Sequence, residues 1–186
     1  SLDGSLFTGA LMSFGGGASL SGPYRPNNRL PDAGAISLAF DDAAHGTLVW
    51  PGGSVAIQRF PVSAAGVNAT PLPNQPENGW WWGGTGDSGR GFFIEWQGNA
   101  AFLAGYMYDT AGNATWYVAA NDAPIANAQS FQGTWLQLTN GQTLTGAYRA
   151  PSAPAAVGPV TIQFQGADTA LLTLPSGTLP LARFRF

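Results

Sequence analysis

The feature that most constrains the fold of this chain is an internal repeat at a distance of 124 residues. Residues 5–60 align with residues 129–184 without a gap, and 15 of the 56 aligned positions are identical. Other positions keep their apolar character, as at Ile36 and Val160. Similarity of this kind indicates that one structural unit has been duplicated. We refer to residues 5–60 as copy 1 and to residues 129–184 as copy 2.

Alternating apolar and polar residues predict β-strands in both copies. The clearest case is Val160-Thr161-Ile162-Gln163-Phe164, whose counterpart Ile36-Ser37-Leu38-Ala39-Phe40 alternates in the same phase. We expect five strands in each copy, joined by short turns such as Asn140-Gly141. The strands are predicted at residues 5–14, 18–25, 35–41, 46–50 and 54–60, and again at residues 129–138, 142–149, 159–165, 169–174 and 178–186.

A different segment separates the two copies. Residues 63–78 contain three prolines and are predicted to be a linker. Residues 79–120, here called segment A, follow with predicted strands at 79–83, 91–97, 100–108 and 114–120. The predicted domains are therefore a five-stranded unit at 1–62, the linker at 63–78, and one barrel at 79–186 that combines segment A with copy 2.

These patterns predict an all-β fold whose antiparallel meanders close into one or two small barrels or a sandwich. Only the five-stranded unit is repeated, so copy 1 has no segment A of its own. A sheet left uncovered invites aggregation. We therefore expect copy 1 to associate with another chain or with a segment upstream of residue 1.

Composition narrows the functional classes. The net charge is −3, every one of the seven basic residues is an arginine, and only 9% of residues are charged, which argues against a nucleic-acid partner. The chain has no cysteine, and thiol nucleophiles and cysteine metal sites are therefore excluded. We expect neither a cofactor nor a bound metal. Abundant glycine, proline and aromatic residues favour a secreted or periplasmic β protein.

Segment A resembles a repeat of secreted proteobacterial proteins. The residues that carry this resemblance are Gly79-Trp80-Trp81-Trp82, Ser88-Gly89-Arg90-Gly91-Phe92, Gln97-Gly98, Tyr108-Asp109 and Thr115-Trp116-Tyr117. The likeness covers about 40 residues. It implies an extracellular location and a β fold, and it implies no particular activity.

A weaker resemblance is to the calycins, the family of avidin and lipocalin barrels. Gly133-Thr134-Trp135 followed by Leu144-Thr145-Gly146-Ala147-Tyr148 is similar to the first strands of an avidin. The resemblance implies that Arg183, near the last strand, stacks on Trp135. Copy 1 keeps Arg59 but has Leu11 where Trp135 stands in copy 2.

The candidate ligand-binding residues lie mainly in segment A. Consecutive strand residues point to opposite faces of a sheet, so Trp81 faces away from Trp80 and Trp82. At least one indole is then expected at the surface, where it can stack on a sugar ring or an apolar ligand. The predicted binding residues are Trp80, Trp81, Trp82, Trp96, Trp116 and Glu95.

The residues shared by both copies are predicted to be structural. Arg59 and Arg183 are in phase with the inward apolar residues, and such a guanidinium must meet an aromatic ring or a carboxylate. Trp135, Tyr24 and Tyr148 are assigned to the same structural group.

Three groups of residues are similar to parts of catalytic or metal sites. Gly86-Asp87-Ser88-Gly89 and Ala43-Ala44-His45 are similar to segments of trypsin-like proteases, but no aspartate lies between His45 and Asp87 to complete a triad. Glu95 lies in an apolar strand and could act as an acid in a hydrolase. No calcium-binding motif is present around Asp41-Asp42, Asp87 or Asp109.

The sequence thus predicts a non-catalytic secreted module that binds a glycan or a small apolar ligand, or serves as an accessory or structural domain of a larger extracellular protein. Two alternatives stay open. One is a secreted hydrolase that uses Glu95 or an aspartate. The other is a component of an outer-membrane β-barrel, suggested by the aromatic end Phe184-Arg185-Phe186.

Overall fold

The computed structural model describes residues 5–121 and 123–185, and these residues form an all-β protein with antiparallel sheets, as predicted. Two single turns of 3-10 helix, Gly66–Asn68 and Thr85–Asp87, accompany the strands. In the described residues no helix has the length and apolar character needed to cross a membrane. The strands are β1 (Leu6–Ala10), β2 (Ser13–Gly16), β3 (Asn27–Leu30), β4 (Ala35–Phe40), β5 (His45–Trp50), β6 (Gly53–Gln58), β7 (Gly79–Trp82), β8 (Gly91–Gln97), β9 (Ala100–Tyr108), β10 (Ala114–Ala120), β11 (Ser130–Gln137), β12 (Ala155–Phe164), β13 (Thr169–Leu174) and β14 (Gly177–Arg183).

Strands β7 to β14 form a closed eight-stranded barrel. Each strand pairs with the next in an antiparallel ladder, and β14 closes the barrel by pairing with β7. Segment A supplies β7 to β10, and copy 2 supplies β11 to β14. The barrel interior is filled by large apolar side chains, as expected for a barrel of this strand number. Its largest fully buried side chains include Trp81, Phe92, Phe131, Trp135 and Ile162.

Copy 1 forms a four-stranded sheet in the order β1-β4-β5-β6. Its pairing register is that of copy 2 displaced by 124 residues. Phe7 is opposite Leu38 and Phe131 is opposite Ile162, and the other pairs of the β1–β4, β4–β5 and β5–β6 ladders recur in the β11–β12, β12–β13 and β13–β14 ladders in the same way. The duplicated sequence therefore adopts the same strand pairing twice.

The chain divides into two compact units. The first unit contains residues 5–14, 29–60 and 139–152; the second contains residues 15–28, 61–121, 123–138 and 153–185. The second unit includes the barrel, and the first includes the four-stranded sheet. The predicted domains 1–62 and 79–186 place the boundaries elsewhere and stay a prediction; residues 1–4 and Phe186 lie outside the described residues.

Two predicted strands, 18–25 and 142–149, are absent from the described structure. These residues lie in two connections, which we call hairpin tip 1 (residues 15–28, with the facing ends of β2 and β3) and hairpin tip 2 (residues 139–152). In tip 1 the Gly22 amide donates to the Ser19 hydroxyl, and in tip 2 the equivalent Gly146 amide donates to the Thr143 carbonyl. These local bonds turn the backbone where alternation alone predicts an extended strand.

An arginine closes each hairpin tip. Arg25 donates from Nε to the Gly17 carbonyl (3.2 Å), and the equivalent Arg149 donates from Nη2 to the Gly141 carbonyl (3.3 Å). Tip 1 joins strands β2 and β3, which pair with each other as a two-stranded sheet. The arginines thus stabilise the two tips in the same manner.

A glycine bends the same hairpin in both copies. Gly34 (φ 123°) and its equivalent Gly158 (φ 138°) both lie in a region of backbone space that L side chains rarely adopt. The Leu11 amide donates to the Gly34 carbonyl in copy 1, and a register shift follows Trp135 in copy 2. The predicted strand 5–14 is therefore divided into β1 and β2.

The predicted linker packs on the second unit. Leu72 packs against the barrel core, and the Val62 amide donates to Gln97 Oε1 (2.8 Å). Asn78 Oδ1 accepts the Trp96 amide (2.7 Å). Residues 63–78 are therefore an ordered covering of the second unit, without a strand of their own.

Candidate functional site

The outer face of segment A carries a row of aromatic side chains, which we call the outer aromatic strip: Trp80, Phe93, Tyr106 and Trp116. They come from the four consecutive strands β7, β8, β9 and β10. Each is next in sequence to a residue of the inward face, namely Trp81, Phe92, Gly105 and Tyr117, all of which are buried. Strand alternation therefore places the strip on the outside of the barrel.

The rings of the strip are in contact across strands. Trp80 packs edge-on against Phe93, with ring centroids 5.6 Å apart, and lies 5.2 Å from Tyr106 at a tilt of 40°. Tyr106 is directly opposite Trp116 in the β9–β10 ladder. Tyr106 is 42% exposed and Trp116 is 44% exposed. The strip thus offers flat apolar surface to solvent at one end and is packed at the other.

The strip also carries polar groups. Partial burial raises the pKa of the Tyr106 hydroxyl, and it therefore stays protonated at neutral pH and can donate a hydrogen bond. The indole of an exposed tryptophan is a donor as well. The surface can therefore combine ring stacking with directed hydrogen bonds.

The predicted binding tryptophans separate into two groups. Trp82 lies on the same face as Trp80 and packs edge-on against Phe184, with centroids 5.5 Å apart. Trp81 and Trp96 are buried in the barrel core, and each packs against Phe164. Trp81 and Trp96 therefore do not belong to the outer surface predicted to bind a ligand, because a core indole presents no face to a ligand.

Glu95 lies two residues beyond Phe93 on the outer face of β8, opposite Phe102 of β9. Gln97 Nε2 donates to its Oε1 at 3.4 Å. The side chain is half-buried. Its position beside the strip suits a polar contact with a bound ligand.

Arg183 meets both an aromatic ring and a carboxylate. Its guanidinium carbon lies 6.0 Å from the ring centre of Trp81, and Nη2 is 3.8 Å from Glu77. It also donates to the carbonyls of Trp80 and Asn78. Arg183 thus joins the two strands that close the barrel, and the ring that it covers is Trp81, whereas the calycin likeness implied Trp135.

The other residues assigned to structure differ in their surroundings. Trp135 is fully buried and packs against Tyr117. Arg59 directly follows β6 in the first unit, and its amide donates to the Ala44 carbonyl. The Tyr24 hydroxyl is within 3.2 Å of the Ser88 hydroxyl. Tyr148 is 82% exposed, so packing in this structure does not explain it.

The segment that is similar to a protease loop has a different role. Asp87 and Arg90 form a buried ion pair in which Nε lies 3.1 and 3.0 Å from the two carboxylate oxygens. Arg90 also donates from Nη1 to the Ser19 carbonyl of hairpin tip 1 (3.2 Å). The loop therefore anchors tip 1 on the second unit.

The remaining polar candidates form local turns. Asp42 receives the Ala44 amide and contacts His45, and these hydrogen bonds lower its pKa. Hydrogen bonds from Asn113 lower the pKa of Asp109 in the same way. His45 belongs to the first unit and Ser88 to the second. Among residues 5–121 and 123–185, no three His, Cys, Asp or Glu side chains are grouped as metal ligands would be.

Sequence reasoning did not single out Phe93 or Tyr106. The sequence shows that Phe93 lies on the same strand face as Glu95, and Tyr106 on the same strand face as Tyr108. Which residues of the neighbouring strands lie beside them becomes known only from the β7–β8 and β8–β9 registers. Comparison with known protein families, curated proteins and solved structures finds no match to the chain. The likenesses to a secreted repeat and to the calycins therefore stay predictions.

Proposed function

We propose that the chain is a non-catalytic binding module that holds a glycan on the outer aromatic strip. The observation that carries the proposal is the pair Tyr106 and Trp116, two large aromatic side chains that are exposed directly opposite each other on a rigid barrel. Exposed rings on a fixed scaffold provide contact area at low entropic cost.

The chemistry of the strip favours a sugar. A pyranose ring presents a face of C–H groups that can lie against an aromatic ring, while its hydroxyl groups bond to indole N–H, phenol and carboxylate groups. Tyr106 supplies a phenol and Trp116 an indole N–H beside their ring faces.

The same proposal includes a location outside the cytoplasm, as a secreted or periplasmic module of a larger protein. A low content of charged residues and an abundance of Gly, Thr and Asn support this. A signal of export on the intact gene product would test it directly.

The test is titration of the chain with soluble β-linked glucose and N-acetylglucosamine hexasaccharides, followed by tryptophan fluorescence and calorimetry. We expect a fluorescence change that saturates, and Trp116→Ala is expected to weaken binding at least tenfold, a loss of about 1.4 kcal/mol. Tyr106→Ala is expected to act in the same direction.

Tyr148→Ala is the matched control, because it removes an exposed aromatic ring from the first unit and is expected to leave binding unchanged. Trp116→Phe removes the fluorescent indole but keeps an aromatic ring, so it distinguishes loss of the fluorescence signal from loss of ring stacking. Binding of none of the hexasaccharides, or binding that survives Trp116→Ala, would rule out the strip as a glycan site. A response to a micelle-forming apolar ligand alone would favour the apolar alternative.

A further inference from the structure

Within residues 5–121 and 123–185, the first unit has no segment that closes its sheet as segment A closes the sheet of copy 2. In the second unit, segment A closes copy 2 into a barrel by pairing with its outer strands β11 and β14. In the first unit, the sheet has the same strand order and register, and its outer strands are β1 and β6. The described residues of this unit contain no counterpart of segment A.

The inward face of copy 1 is correspondingly uncovered. Phe7 is 43% exposed, whereas its equivalent Phe131 in the barrel is 1% exposed. Val55 is also exposed, and Leu38, Leu48 and Ile57 are only half-buried. An apolar sheet face in solvent marks a binding surface.

Hairpin tip 1 shows what such a partner would do. Segment A binds this tip through the Arg90 guanidinium on the Ser19 carbonyl, the Tyr108 amide on the Ala18 carbonyl (3.2 Å), and the Gly112 carbonyl on the Gly16 amide (2.9 Å). Leu20 of this tip is 5% exposed and belongs to the apolar core of the second unit.

Hairpin tip 2 has kept the contact with its sheet but has no equivalent of these contacts with segment A. The Leu144 carbonyl accepts a hydrogen bond from Trp50 Nε1 (2.6 Å), much as the Leu20 carbonyl accepts one from Ser176 in the second unit. Leu144 is nevertheless 46% exposed. The side of tip 2 that corresponds to the A-bound side of tip 1 is therefore uncovered.

The surroundings of Gly141 also indicate that this side of tip 2 is uncovered. Its equivalent Gly17 must be glycine, because a Cβ there would lie 2.3 Å from the Tyr108 ring. At Gly141 the nearest atom to a Cβ is Pro151 Cβ at 3.8 Å, which leaves room for a side chain. The space beside Gly141 is therefore open, and its backbone is not in the positive-φ conformation of Gly17 (φ 97°).

From these observations we propose that the first unit binds a second segment of the A type, joined ahead of residue 1. Its first and last strands pair with β6 and β1, and its apolar face covers Phe7 and Val55. In that segment, the equivalent of Arg90 binds the Thr143 carbonyl and the equivalent of Tyr108 covers Gly141. The equivalent of Ser88 contacts Tyr148. Pro151 is the residue of tip 2 that aligns with Asn27 of tip 1. The hydrogen bond from Asn27 to the Tyr108 hydroxyl (3.4 Å) therefore has no counterpart in the proposed contact with tip 2.

The test adds that segment to the full chain. Residues 73–124 are joined directly ahead of residue 1, because residue 1 aligns with residue 125 in the repeat. We expect amide hydrogen exchange in β1, β6 and tip 2 to slow at least tenfold, and the fluorescence of a bound hydrophobic dye to fall severalfold. A matched fusion with Trp81→Pro and Arg90→Ala in the added segment only is expected to show neither change.

Further measurements test the contact at Gly141, a fusion that does not fold, and a second copy of the chain as the partner. Gly141→Leu should leave the chain without the added segment unchanged and should abolish protection in the fusion. If the fusion does not fold, a peptide of residues 73–124 is titrated into the full chain, and absence of protection there overturns the proposal. Sedimentation of the chain alone is expected to show a monomer; a dimer with β1, β6 and tip 2 protected would overturn it in favour of a second copy.

Discussion

Phe7 and Phe131 hold the same position in the two copies but have different surroundings. Both are opposite a β-branched or aliphatic residue in the same register. Phe131 is packed inside the barrel, whereas Phe7 keeps almost half of its surface in solvent. At the scale of single residues, the cost of a substitution therefore depends on the copy in which it is made.

A matched pair of truncations measures this difference. Phe131→Ala is expected to lower the free energy of unfolding by about 3–5 kcal/mol, because it removes a buried ring and leaves a cavity. Phe7→Ala is expected to cost about 1 kcal/mol or less, since much of the ring is already hydrated. Urea denaturation followed by circular dichroism gives both values. Equal losses would contradict the assignment of Phe7 to an uncovered face.

The limits of prediction are also visible at single residues. Alternation correctly places Trp81 opposite to Trp80 and Trp82, but it does not tell which face is inward. That depends on Phe92 and Ile94 of the neighbouring strand, which the register brings beside Trp81 and Gly79. Trp96 and Trp116 look alike in sequence, yet one is in the core and the other is in solvent.

Among the structural elements, the short turn from Thr85 to Arg90 contains a buried ion pair. Its ion pair between Asp87 and Arg90 is buried, and Arg90 also holds the Ser19 carbonyl. A buried charge that loses its partner is strongly destabilising, while an exposed pair contributes little. The turn is therefore expected to be sensitive to substitution.

Arg90→Ala is predicted to lower the free energy of unfolding by about 3–5 kcal/mol, because Asp87 would stay buried without its countercharge. The control is Arg29→Ala, which breaks the exposed pair with Asp32 and should cost at most about 1 kcal/mol. Thermal unfolding at matched pH provides the comparison. Partial rescue by Arg90→Ala combined with Asp87→Asn would identify the unpaired charge as the cause.

Most strands could be predicted, because their bounds follow from the alternation of apolar and polar residues within each strand. In β8, β9, β10 and β13, the alternation of side chains coincides with the strand bounds to within a residue. The two hairpin tips were predicted as strands, because Leu20 and Leu144 continue that alternation. Their turns depend on the Ser19–Gly22 and Thr143–Gly146 bonds and on contacts with distant residues such as Arg90, which the local pattern does not contain.

For the whole molecule, the main feature is that each unit includes a hairpin tip from the other copy. Tip 1 belongs to copy 1 in sequence and to the second unit in structure; tip 2 belongs to copy 2 in sequence and to the first unit in structure. The sequence repeat predicts a five-stranded unit at 1–62 and a barrel at 79–186 and does not reveal this exchange, because the offset of 124 residues is the same with or without it.

Replacing residues 17–26 by Asn-Gly would shorten hairpin tip 1 to a tight turn. We expect the second unit to lose about 3 kcal/mol of stability, because a buried leucine alone contributes about 1.5–3 kcal/mol and the hydrogen bonds of tip 1 are lost as well. The same replacement of residues 141–150 serves as the control, since Leu144 is exposed. Hydrogen exchange of the barrel strands distinguishes the two variants; equal protection in both would argue against a stabilising role of tip 1.

The exchanged tips also determine when the protein can fold during its synthesis. All strands of the first unit have been made once the ribosome passes residue 58, yet this unit is incomplete until Ser152 emerges. At 5–20 residues per second that interval lasts roughly 5–20 s. The apolar face that includes Phe7 and Val55 is exposed in the folded chain as well. A chaperone that binds residues 5–60 is therefore expected to assist folding during this interval.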